Sequence, residues 1–88
     1  DEGQAWRAML KGQFDRTGAL PCQVDGGLKC FGHPVGASGL RMLYECWLQL
    51  SGQAGARQLA NPRMALAHNL GGGPALNTCS VAVLGPLS

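Results

Sequence analysis

Charge is scarce in this 88-residue chain: seven Lys and Arg against five Asp and Glu, a formal net charge of +2. No cluster of Lys and Arg is present, so the basic stripe that tracks a nucleic-acid backbone is missing. Long apolar runs are missing as well. None approaches the roughly 18–20 residues of a membrane-spanning helix, and the first residues, "DEGQAWRAML", have none of the parts of a signal peptide. There is no Cys-x-x-Cys pair, no internal repeat and no low-complexity tract. Disorder is excluded by the opposite imbalance, because 45% of the residues are hydrophobic and only 14% charged.

What the chain has instead is glycine, fourteen in all, and five of them fall in "GGLKCFGHPVGASGL", residues 26 to 40. Glycine costs conformational entropy, so such a cluster marks backbone that turns sharply or approaches something closely. One small domain is the most that 88 residues supply, and so short a body buries only about 60–65% of the surface of its unfolded chain. Low charge on a small apolar body predicts uncovered apolar surface and a partner. An isolated chain is therefore expected to self-associate. With no initiating Met and a helical pattern from its first residues, the chain is expected to be part of a longer protein.

The apolar periodicity divides the chain into segments. Ala5, Trp6, Met9 and Leu10 predict a helix over residues 3–11, stopped by Gly12. A polar loop follows to Gly18, then a short extended segment through Pro21 and a turn at Asp25-Gly26. The stretch from Gly26 to Gly36 reads either as a flexible connector or as bends that hold His33 at a working position. From Ala37 to Leu50 the residues Leu40, Leu43, Tyr44, Trp47 and Leu48 make one apolar stripe, with Arg41, Glu45 and Gln49 on the other face. That pattern predicts an amphipathic helix with its apolar stripe in the core. Residues 63–69 read as a short buried strand, Gly71-Gly72-Gly73-Pro74 as a turn, and "NTCSVAVLG" as a last strand. In that strand Cys79, Val81 and Val83 face one way and Ser80, Ala82 and Leu84 the other. The two strands suggest an antiparallel pair, too small to stand alone.

Both histidines, His33 and His68, sit beside glycine-rich turns, where outward backbone N–H groups are natural oxyanion donors. Either imidazole there could serve acyl transfer or merely satisfy local hydrogen bonds. Cys22, Cys30, His33 and His68 have the atoms for a zinc site, but their irregular spacing argues against one. Cys30 and His33 as a thiol–imidazole pair is weakened in the same way, since three residues of turn need not make them face each other. The four cysteines, with no secretory signal, are expected to be reduced in an intracellular protein.

Gly26, Gly27, Gly32, His33, Pro34, Gly36, Ser38 and Gly39 together resemble the signature near the C-terminus of the thiolases: Gly-Gly, four variable residues, Gly-His-Pro, then Gly-x-Ser/Thr-Gly. Typical thiolases have a later Cys-x-Gly-Gly-Gly loop with a second acid/base cysteine. Here "HNLGGGPALNTCSVAVLG" stands there, with His68 set on that cysteine, which resembles the sterol-carrier-protein-x branch.

The resemblance implies an α/β fold, present as an α+β fragment over residues 1–88. Two helices would pack on the terminal antiparallel strand pair of an incomplete mixed sheet. It implies that His33 is the base for a nucleophilic cysteine carried by an absent N-terminal half. His68 would assist the second substrate, and backbone N–H groups of Leu70, Gly71 and Gly72 would form an oxyanion hole. Gly32, Pro34, Gly36, Ser38, Gly39 and Asn69 would support the motif. An acyl-CoA acyltransferase is implied, with coenzyme A thioester as substrate, no cofactor and no metal. Its partners would be acyl-CoA and the N-terminal half, in an oligomer, with no nucleic acid and no membrane span. The setting would be cytoplasmic, or peroxisomal in a eukaryote, although the closing "GPLS" does not read as a peroxisomal address. An aldol-type lyase on acyl-CoA side chains and a non-catalytic lipid-transfer or scaffold subunit are the alternatives.

Overall fold

A computed structural model describes residues 2–86, so the end of "GPLS" lies outside the described residues. In chain order it contains α1 (Ala5–Leu10), α2 (Gly27–Phe31), α3 (Ser38–Leu50), a 3₁₀ turn (Gly55–Arg57), β1 (Ala65–Gly73) and β2 (Leu76–Leu84). The strands pair antiparallel, from Ala65 opposite Leu84 to Gly73 opposite Leu76. The result is a small α+β unit in which α3 lies against β1.

The longest helix begins where the Pro34 carbonyl accepts hydrogen bonds from the N–H groups of Ala37 (2.8 Å) and Ser38 (2.9 Å). Those are two of the donors that a helix start otherwise leaves unpaired. α3 matches the predicted helix closely in extent, but its exposure runs against the expectation. Leu40 is 71% exposed, Tyr44 54% and Trp47 48%, while Glu45 and Gln49 are buried. The polar face is covered because it binds the connection that follows. Arg57 donates to both carboxylate oxygens of Glu45 (2.9 and 3.2 Å). Gln49 donates to Glu45 and to the Arg57 carbonyl, and accepts from the Leu59 N–H at 2.9 Å. Gln58 reaches back to the Gln49 carbonyl and accepts from the Ala54 N–H. Hydrogen bonding to Glu45, and then its charge, raise the Arg57 guanidinium above its ordinary value. The connection 53–59 is thus strapped to the helix.

Residues 27–31, in the stretch read as connector or bends, form the short helix α2. Asp25 accepts from the Gly27 N–H at 2.9 Å and binds Arg41 at 3.0 Å. The Arg41 guanidinium also stands 3.9 Å from the centre of the Phe31 ring, a cation–π contact. One arginine of α3 therefore holds both ends of α2. The segment before it, residues 19–23, has bends but no strand.

β1 is longer than the expected strand and takes in all three glycines. Pairing Gly71, Gly72 and Gly73 with Thr78, Asn77 and Leu76 moves the reversal to Pro74-Ala75. Gly72 must lack a side chain, since its φ is 112° and a Cβ there would meet the Leu76 carbonyl oxygen. Ala75 has φ 63°, the conformation that follows Pro in a tight turn with a left-handed third residue. Of β1, only Ala67 is buried, so the strand is not the buried one expected. The facing of β2 agrees with the alternation read from the sequence. Val83, Val81 and Cys79 share a face with Leu66, His68 and Leu70, and Ala82 and Ser80 share the other with Ala67 and Asn69.

Ala54 and Ala67 are the buried apolar residues among those described, and no large side chain there is fully buried. Burial this slight offers little against the chain entropy lost on ordering. The exposed stripe of α3 and the outer sheet face are surfaces that fit further protein.

Candidate active site

An open cleft of about 610 Å³ separates the first half of α3 from the sheet face bearing Ala67, Asn69, Ser80 and Ala82. His33, Ser38 and Gly39 line it from the helix side. The His33 ring is exposed rather than sealed in the interior. A smaller depression along α1, lined by Gln4, Arg7 and Lys11 among others, contains neither histidine nor cysteine.

Backbone geometry delivers His33 to this cleft. Gly32 ends α2 with φ 78° and ψ −178°, a region that essentially only glycine occupies without strain. Pro34 follows His33 and supplies the carbonyl that starts α3, so the imidazole sits between two fixed points. Its Nδ1 lies 2.6 Å from Ser38 Oγ. The Ser38 hydroxyl donates to the Pro34 carbonyl at 3.1 Å. A hydroxyl has one proton to give, so Ser38 meets the ring as an acceptor and His33 donates from Nδ1–H. That assignment leaves the Nε2 lone pair free, and Nε2 is then the basic atom of a neutral imidazole. Ser38 is itself buried, which keeps this relay in one geometry.

His68 is placed differently. Neighbouring strand residues point to opposite faces, and Asn69 lines the cleft while His68 does not, although Leu70 and Val81 of the His68 face also reach it. His68 Nε2 lies 3.1 Å from Cys79 Sγ, both side chains exposed on the outer face. The structure therefore does not bring the two imidazoles to one cleft. The expected loop donors also lie in a strand. Along an antiparallel edge successive N–H groups alternate between the partner strand and the open side. Of Leu70, Gly71 and Gly72, either the middle N–H or the outer two are therefore free, never all three. Gly36, Leu70 and Gly71 line the cleft; Gly32, Pro34 and Gly72 do not. The Gly39 backbone packs near Asn69, whose Nδ2 would lie 3.8 Å from a Cβ at that position. Cys30 lies in α2 and makes no hydrogen bond to His33 among the described residues. No group of three or more His, Cys, Asp and Glu converges among the described residues.

Residues 1–86 match the family described as "Thiolase C-terminal domain-like". The chain belongs to the thiolase C-terminal-domain family. This thiolase segment is 39% identical over 72 residues to an acetyl-CoA acetyltransferase of Methanothermobacter thermautotrophicus, covering 82% of this chain and 19% of that protein. It is 44% identical over 79 residues to sterol carrier protein 2 of Rattus norvegicus, covering 88% of this chain and 14% of that protein. The thiolase segment thus spans less than a fifth of the length of either relative. No solved structure gives a significant match.

Within the thiolase pattern, the strand facing is compatible with a second placement of the motif. Setting His68 on the cysteine of Cys-x-Gly-Gly-Gly leaves Leu70 on a glycine. Moving the pattern by one residue gives Asn69-Leu70-Gly71-Gly72-Gly73 with every glycine matched. From the sequence, Asn69 stands only as motif support because the resemblance sets His68 on the cysteine of that pattern.

Proposed function

We propose that this chain supplies the general base and part of the substrate-facing wall of a thiolase-type acyl-CoA acyltransferase. The nucleophilic thiol would come from protein outside these residues. What supports the reading is the His33–Ser38–Pro34 relay at an open cleft, within a chain of thiolase family. His33 Nε2 takes the proton of the thiol, and the thiolate attacks the carbonyl carbon of an acyl thioester. The C–S bond to coenzyme A then breaks, and the departing thiolate takes the proton back from the imidazolium. An acyl thioester on the protein remains, to be passed to a second thiol or carbanion acceptor. Coenzyme A is substrate and leaving group here, with no redox change at any step. The exposed stripe of α3 and the open strand edges would be covered by the remaining domain, which would complete the mixed sheet.

The test joins this chain to a thiolase N-terminal half and follows coenzyme-A-dependent cleavage of a short 3-ketoacyl-CoA. Cleavage is expected, and His33→Ala is expected to slow it by about 10²–10⁴-fold, the usual size of a lost acid–base group. An assembled protein without cleavage activity, or one indifferent to His33→Ala, would overturn the reading.

A further inference from the structure

We propose that Asn69 is a second catalytic residue of the cleft, donating from its Nδ2 to the carbonyl oxygen of the bound acyl thioester, while His68 takes no part in the chemistry. The proposal rests on the acyltransferase reading above. Four observations carry it. Asn69 lines the same cleft as His33 and Ser38, and the strand period turns His68 away. The Asn69 amide lies against Gly39, in the first turn of α3 that also contains Ser38. Asn69 is half-buried, yet its side chain makes no hydrogen bond among the described residues, so its N–H donors are available to a ligand. Finally, His68 already has a partner in Cys79 on the outer face.

The chemistry follows from the functional group. As a thiolate adds to a thioester, the carbonyl oxygen gains negative charge, and a fixed N–H donor lowers the barrier because the bond strengthens as that charge grows. A carboxamide donates at every working pH and has no proton to transfer. Proton movement at this cleft would then fall to His33 and to groups outside this chain, and Asn69 would serve purely as a dipole. The strand holds it rigidly, with Ser80 directly opposite on the same face.

The experiment uses the assembled protein and a short 3-ketoacyl-CoA, with Asn69→Ala, Asn69→Asp, His68→Ala and His33→Ala compared over a range of pH. Asn69→Ala is expected to lower kcat by about 10²–10³-fold, the scale of one lost oxyanion donor. Asn69→Asp keeps the shape but replaces the donor by a carboxylate. Its activity is expected to be as low at neutral pH, and its ratio to the parent's activity to rise in acid as the carboxyl gains a proton to donate, since loss of general-base catalysis in acid lowers both proteins alike. His68→Ala is expected to stay within about twofold of the parent. An Asn69→Ala protein within about twofold of the parent, or an Asp variant whose activity ratio to the parent stays flat in acid, would overturn the proposal, as would a large loss in His68→Ala. If His33→Ala abolishes turnover in the same series while Asn69 variants do not respond, the role of Asn69 fails alone. If His33→Ala is also silent, the acyltransferase reading fails with it.

Discussion

Removing the Ser38 hydroxyl should uncouple the two nitrogens of His33. The 2.6 Å contact to Nδ1 is what selects the tautomer with a free Nε2. In Ser38→Ala the ring stays exposed, so water replaces the lost acceptor and the cost is the net value of one hydrogen bond, about 0.5–1.5 kcal/mol. At about 1.4 kcal/mol per tenfold, that corresponds to roughly a 2- to 13-fold drop in the ratio of the productive tautomer to the other, and to a smaller drop in acylation rate. The helix start should survive, because the Pro34 carbonyl keeps its bonds from the Ala37 and Ser38 N–H groups. Nitrogen NMR of the His33 ring reads the tautomer directly, and single-turnover acylation of the nucleophilic thiol reads the rate. Ser38→Thr retains the hydroxyl and should retain both signals. A Ser38→Ala protein with the parent tautomer ratio and the parent rate would refute the relay.

The remaining predictions concern the scaffold. Gln49→Ala strips hydrogen bonds from the Leu59 N–H and the Arg57 carbonyl at a buried site, and should destabilise the assembled protein by about 1–3 kcal/mol in denaturant unfolding. Ala75→Gly relieves a side chain held at φ 63° and should stabilise the hairpin by about 0.5–1 kcal/mol, read as a higher thermal midpoint. Burial first, and then the charges of Glu45 and Asp25, raise the Cys46 thiol above its ordinary value. Cys46 should therefore be alkylated more slowly than the exposed Cys22, Cys30 and Cys79. The folded state keeps that proton where the unfolded chain loses it, so stability from Cys46 is present below the ordinary thiol range. It declines as pH rises through that range. A Cys46→Ala protein should show a shallower alkaline loss.

The periodicity from Leu40 to Leu48 made α3 legible, and Pro34 and Gly52 bracketed it, because those signals are local. Which side of α3 is covered was not legible. An apolar stripe reports what a helix would bury given a partner, and in these residues the partner present is the loop of Arg57, Gln58 and Leu59, which binds the polar side. α2 was hidden for a similar reason. Its Gly27 start is unfavourable locally and is made good by Asp25 and by Arg41, fourteen residues after Gly27 in the sequence. The glycines of β1 looked like a turn because glycine favours turns, yet the hairpin register carries pairing through them to Gly73. At the site, the Gly-His-Pro and Gly-x-Ser-Gly spacing singled out both His33 and Ser38, and the 2.6 Å contact between them is a product of the fold. His68 was singled out by its chemistry and its place in the motif; the hairpin register, which depends on pairing through Gly71 to Gly73, puts it on the opposite face from Asn69.

The measurement that bears most directly on His33 as base is the pH profile of alkylation of the nucleophilic thiol in the assembled protein. With His33 intact, the thiol should react as a thiolate well below the ordinary range of a free cysteine, near 8.5, and His33→Ala should return it to that range. Coincident profiles for the parent and His33→Ala proteins would contradict the account.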